Sequence, residues 1–195
     1  FWGSQTYDLR PDIITAAKAL TGAYQPLGAV MISADINEAV TRQSGEIGTF
    51  GHGYTYTAHP VCSAVALEAL RIYEERDLPG RVRELAPRLS DGLAQFADHP
   101  LVGDTDAVGL LGAVELVADK ETGAAFDPKA KVGYHLFEAA QRKGVILRAM
   151  GDRIGFAPPF IVEPADIDRM LTVFGEALDE TLGHVRAQGL DGRAA

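Results

Sequence analysis

The sequence predicts an α/β chain, and three observations point there. Two short apolar runs, residues 12–17 and 27–32, read as strands on either side of Lys18. From Pro60 onward, longer stretches repeat apolar residues at spacings of three and four, the period of helices packed on a core. Strand-like runs return among those helices at 110–117, 145–147 and 154–157.

The first two runs lie too close together for a parallel pair. A parallel crossover takes about a dozen residues or more, and the chain is apolar again by Leu27. An antiparallel strand is therefore expected, with Gly22, Ala23 and Pro26 supplying the turn. The next helix covers 60–76, opened by Pro60 because proline suits a first turn. Val61, Val65, Ala69 and Ile72 form one stripe, and Ala66, Leu70 and Tyr73 another, so the helix packs on two sides. Leu78, Pro79 and Gly80 break the chain, which sets the expected organisation: 1–77, 78–187 and a disordered tail, 188–195.

A helix with Val82, Leu85, Leu89, Leu93 and Phe96 on its apolar face follows. Pro87 within it costs about 3 kcal/mol in a helix interior, which predicts a kink or a later start. A strand at 110–117 runs into a turn at 119–123. A helix over 128–143 stops at Gly144, suited to a left-handed cap. Residues 145–147 and 154–157 pair as a hairpin about Met150, Gly151 and Asp152. The last helix starts at Pro164 and turns Ile167, Met170, Leu171, Phe174 and Leu178 to one side.

With 195 residues, 47% of them hydrophobic, the chain can build one or two domains with a sizeable core. A net charge of −9 argues against nucleic acid or an anionic membrane surface as partner. No apolar stretch reaches the length of a membrane span. One cysteine, Cys62, rules out an intrachain disulfide and suits a reducing compartment, so the cytoplasm is the expected location. The chain opens at Phe1 and reads as a fragment of something longer.

Three residues stand out chemically. Lys18 ends an apolar run among small residues, which would place an amine at the mouth of a buried strand. A poorly solvated amine has a lowered pKa and attacks carbonyls. By spacing alone, a solvated surface lysine is the favoured alternative. Thr55 lies just ahead of the helix that Pro60 opens, where free N–H groups and a positive dipole end suit a phosphate. Gly51 and Gly53 would let backbone approach closely, though Thr55 and Thr57 equally fit a capped turn. Arg148 ends an apolar strand beside a turn and suits either a carboxylate or a surface ion pair. His52 and His59 have no third ligand at metal spacing, so no metal site is expected. Glu115 is expected to pair locally, and Cys62 to be a small core residue.

The wording around these residues resembles one family. The segment Pro11-Asp12-Ile13-Ile14-Thr15-Ala16-Ala17-Lys18-Ala19-Leu20 is similar to the cofactor-lysine segment of the class III aminotransferases. Phe50-Gly51-His52-Gly53-Tyr54-Thr55-Tyr56-Thr57-Ala58-His59-Pro60 resembles their phosphate-contact segment. Leu147-Arg148-Ala149-Met150-Gly151-Asp152, followed by Ala157-Pro158-Pro159-Phe160, resembles their substrate-carboxylate segment. The blocks stand in the family's order, and the likeness runs from Gly3 to about Leu182.

The resemblance implies the pyridoxal-phosphate-dependent transferase fold type I, like that of aspartate aminotransferase. The chain would hold the end of the large mixed-sheet domain and the small C-terminal α+β domain. Lys18 would form an aldimine with pyridoxal 5′-phosphate and shuttle the proton. Thr55, with the Tyr54 backbone beside it, would reach the phosphate from the partner subunit, implying a homodimer with a shared active site. Arg148 would be the mobile arginine that grips a substrate carboxylate. The Tyr54-to-Pro60 wording resembles the ω-amino acid:pyruvate group more than the acetylornithine group. The implied reaction moves an amino group from an amine or ω-amino acid to a keto acid such as pyruvate. An aminomutase or a decarboxylating transaminase would use the same lysine. A noncatalytic dimerisation or scaffold piece is the reading from another class. Ala23 departs from the family's glycine and Asp106 from its arginine. The family's pyridine-nitrogen aspartate, ring-stacking aromatic and phosphate cup precede the Phe1 position, so these residues alone are expected to be inactive.

Overall fold

In the computed structural model, which describes residues 1–191, the chain divides into two units, Phe1–Pro79 and Gly80 onward. The first opens with one helical turn, α1 (Gly3–Thr6). Strands β1 (Ile13–Ala16) and β2 (Ala29–Ile32) pair antiparallel, Ile13 opposite Ile32 and Ala16 opposite Ala29. This is the pairing that the short connection demands. The sheet is not buried, however: Ile13, Val30, Met31 and Ile32 are all exposed.

Two helices complete this unit. In α2 (Ala34–Ile47), Ser33 Oγ accepts the Ile36 N–H at 3.4 Å, an N-terminal cap. This helix buries no residue, so no core-facing stripe announces it in the sequence. In α3 (Pro60–Glu75), proline occupies the first turn, and Cys62 and Ala66 are buried.

In the second unit three helices pack on a sheet. Helix α4 (Leu78–Ala94) begins earlier than expected, and Leu78, Pro79 and Gly80 form its first turn. The break lies just before it, at Asp77, whose φ is 41°. Pro87 sits inside the helix without delaying its start. Strand β3 (Val102–Val108) escaped the sequence reading, because Asp104 and Asp106 interrupt its apolar character. It pairs with β4 (Leu111–Leu116), Val108 opposite Leu111. After a 3₁₀ turn at Pro128–Ala130 comes α5 (Val132–Arg142), closed by Gly144 at φ 88°. Strands β5 (Arg148–Met150) and β6 (Arg153–Phe156) make the hairpin, and α6 (Pro164–Ala187) ends the fold. The sheet order is β3-β4-β6-β5, antiparallel throughout.

One sheet face carries Val114, Leu116, Ile154 and Phe156, all buried. Leu89 and Leu93 of α4, Leu136 and Ala139 of α5, and Ile167, Phe174 and Leu178 of α6 complete that core. Phe174 meets Phe96 and Phe156 edge-on, with centroids 5.0 and 5.1 Å away. Such pairs add about 0.5–1.5 kcal/mol beyond area burial. Glu115 pairs with Arg153 on the neighbouring strand, the local partner expected of it. The expected disordered tail needs correction at its start. Gly189 and Leu190 donate to the carbonyls of Arg186 and Val185, at 3.2 and 2.9 Å, and Leu190 packs on the core. Residues 192–195 lie outside the described residues.

Candidate active site

Lys18 follows β1 on a single 3₁₀ turn, Lys18–Thr21. Ala17 before it is extended, and Lys18 takes a left-handed φ of 53°. That conformation costs a non-glycine residue about 1–2 kcal/mol, so the fold must hold it. Helix α3 does so at two points. Tyr73 Oη donates to Ala19 O at 2.7 Å. The Cys62 thiol, buried as expected, lies 3.8 Å from Gln25 Oε1. Buried Thr21 ties the same loop by donating from Oγ1 to Gln25 O at 2.5 Å. Gly22 and Ala23 continue left-handed at φ 57° and 66°. The expectation of a poorly solvated amine is not met: Lys18 is exposed. The strand before it is open rather than buried, so nothing in this unit strips water from Nζ. Among the described residues its amine has no ion pair.

Tyr54 and Thr55 sit on an exposed segment ahead of α3, with Tyr54 77% exposed. The Thr57 N–H donates to Tyr54 O at 3.0 Å, folding 54–57 into a turn. His52 packs edge-on against Tyr54 at 5.3 Å. His59 is the N-cap residue of α3, and its ring Nδ1 is buried with no hydrogen-bond partner among the described residues. The structure does not bring Thr55 into hydrogen-bond contact with Lys18. Among the described residues, no three His, Cys, Asp or Glu side chains cluster as metal ligands.

Arg148 opens β5 rather than ending a strand, because residues 145–147 are not strand. It is exposed on an edge strand opposite Gly155. Its guanidinium has no hydrogen bond or ion pair among the described residues. Sequence reasoning missed what steadies these groups. In the sequence Tyr73 reads as one member of an apolar stripe, and Asp152 as part of a turn. A polar atom at the end of a packed side chain is the signal that would have found the first.

These residues lie in a chain that belongs to the class III aminotransferase family, whose model matches residues 1–178. The chain is 41% identical over 180 residues to "Gamma aminobutyrate transaminase 1, mitochondrial" of Solanum lycopersicum, covering 92% of this chain and 35% of that one. It is also 41% identical over 181 residues to "Probable gamma-aminobutyrate transaminase 4" of Oryza sativa subsp. japonica, covering 92% and 38%. Among solved structures, the omega transaminase from Pseudomonas jessenii in complex with PMP superposes with a TM-score of 0.88 at 39% identity. That match covers 99% of this chain and 42% of the other. A transaminase described with L-ala gives 0.90 at 38% identity, covering 94% and 43%. The fold is thus that of the pyridoxal-phosphate-dependent transferases of type I, over less than half the length of these relatives.

Pyridoxal 5′-phosphate is the cofactor of this family, and the residues present fit it. Lys18 offers an accessible primary amine without a competing carboxylate, on a turn pinned by α3. Thr55 offers an exposed hydroxyl within a turn beside a helix N-terminus, where an anion is favoured.

Proposed function

We propose that the complete protein carrying this chain is a transaminase that takes an amino group from an ω-amino acid or amine and gives it to a keto acid such as pyruvate. The observation that carries this reading is Lys18, an exposed amine held in a left-handed turn by Tyr73 and Gln25. Pyridoxal 5′-phosphate, when bound, supplies an electrophilic aldehyde carbon and a ring that withdraws electrons. Lys18 Nζ would hold the cofactor at rest, and the same amine would take the proton from the substrate carbon that bears the amino nitrogen. Thr55 Oγ1 and the Tyr54 backbone bind the phosphate, across a homodimer interface. Arg148 orients the substrate carboxylate through paired N–H donors.

Lys18 is exposed in this unit, so any exclusion of water around its amine belongs to the assembled protein. The names of the tomato and rice relatives favour γ-aminobutyrate among the ω-amino acids as donor. A cytoplasmic location completes the proposal, against the mitochondrial name of the tomato relative, and cell fractionation decides it. The functional test is donor profiling of the complete protein. γ-Aminobutyrate, β-alanine or a simple primary amine should be preferred. Acetylornithine as the preferred donor would overturn the branch. Nitrogen retained within one molecule, or carbon dioxide release, would replace transamination by the mutase or decarboxylating chemistry.

A further inference from the structure

Asp152 sits in the turn between β5 and β6 and binds two other elements. Its Oδ1 accepts the Gly133 N–H at 2.9 Å, in the first turn of α5, where N–H groups lack partners within the helix. Its carbonyl accepts the Leu116 N–H of β4, also at 2.9 Å. Gly133 is itself required for this fit. A Cβ there would stand 2.1 Å from Gly151 O and 3.0 Å from Asp152 Cα, backbone that has no room to give. The turn therefore rests directly on the helix backbone.

The other end of the hairpin is different. Arg148 lies on the edge strand with an exposed side chain, and the residue opposite it, Gly155, has none. A Cβ on Gly155 would stand 3.2 Å from Met150 Cε and 3.8 Å from Arg148 Cβ. Met150 thus lies over Gly155, and the hairpin is anchored at its turn while the Arg148 side chain stays exposed to solvent.

We propose that Asp152 and Gly133 are positioning residues for substrates that carry a carboxylate. Clasped to α5 and β4, the turn fixes the β5 backbone, so that the Arg148 guanidinium reorients from a rigid base. This rests on the reading of Arg148 as the carboxylate-binding residue. A displaced base loses the paired geometry that a carboxylate needs and leaves a carboxylate-free amine largely indifferent.

The test uses the complete protein with its cofactor and compares KM for γ-aminobutyrate with KM for a simple primary amine such as 1-phenylethylamine. Arg148→Gln sets the benchmark by raising the ratio of the two. Asp152→Ala and Gly133→Ala should raise the same ratio by about tenfold, the scale of a small misplacement of a binding group. Asp152→Asn keeps an Oδ1 acceptor and should restore most of it. Amide exchange at Gly133 should speed up in Asp152→Ala and not in Asp152→Asn. If Arg148→Gln raises the ratio but Asp152→Ala shifts both KM values alike, or neither, the positioning role is wrong and the Arg148 reading stands. If Arg148→Gln leaves the ratio unmoved, both fall together. Should Gly133→Ala fail to fold, the Asp152 pair still decides.

Discussion

At Lys18 a φ of 53° puts a lysine where glycine is at ease. Tyr73 and the Gln25 network hold it there, so the fold fixes where this amine stands. If Lys18 has the proposed role, Lys18→Ala should abolish turnover in the complete protein, because it would remove both the covalent anchor and the proton carrier. Borohydride should fix the cofactor to the peptide containing Lys18. Turnover that survives Lys18→Ala would end the assignment. Thr55→Ala should act on binding instead: a hydrogen bond to a charged group is worth about 1.5–3 kcal/mol, so the cofactor Kd should rise about tenfold or more with chemistry partly kept. Equilibrium titration of cofactor into the variant checks it. Ala23 gives a further test of the same loop. It stands at φ 66°, and glycine there relieves a left-handed penalty of about 1–2 kcal/mol, less the entropy that glycine loses on folding. Ala23→Gly should therefore raise Tm, and a lowered Tm would show that the loop needs the stiffer residue.

Elements with a continuous apolar stripe were legible in the sequence, and elements without one were not. Helices α3, α5 and α6 follow their stripes, and β1 with β2 follows from a connection too short to cross over. Helix α2 buries nothing, so no periodicity marks it. Strand β3 was hidden by Asp104 and Asp106, which face outward on a one-sided sheet. The start of α4 at Leu78 is not legible in the sequence, because Pro and Gly mark both a break and a helix's first turn. Lys18, Thr55 and Arg148 are candidates that the motifs alone supply, whereas the clasp at Asp152 depends on a contact with Gly133 that spacing does not reveal. Gly92 shows another close approach with a measurable consequence. A Cβ there would stand 2.2 Å from Leu171 Cδ1 and 3.2 Å from Cγ, so α4 meets α6 across a missing side chain. Overpacking costs about 1–3 kcal/mol, against about 1 kcal/mol gained by replacing a helical glycine. Gly92→Ala should lower Tm in the native background and raise it in a Leu171→Ala background. The same sign in both would remove the contact as the cause.

Across the second unit two histidines tie stability to pH. The Leu101 N–H donates to His99 Nδ1 at 3.2 Å, so the neutral ring carries its proton on Nε2, which faces Asp179 Oδ1 at 3.5 Å. Desolvation holds the His99 pKa below its ordinary value, with Lys120 and Arg186 pushing the same way and Asp179 opposing. His135 stacks on His184 at 4.1 Å. Thr181 Oγ1 gives its proton to Ala177 O, which leaves it to accept from His135 Nδ1 at 3.3 Å. Desolvation again lowers the His135 pKa, helped by His184 and Arg142 and resisted by Glu180 and Glu138. A lowered folded pKa means that the unfolded chain takes up protons first. Stability from both sites is therefore complete above the ordinary histidine value near 6.5 and is lost as pH falls below it. Tm should hold from about pH 8 to about pH 7 and decline toward about pH 5.5, before most carboxylates titrate. Replacing both, His99→Gln with His135→Gln, should flatten that decline, since neither glutamine takes up a proton. A double variant whose Tm falls across this window as steeply as the native protein would place the acid sensitivity elsewhere.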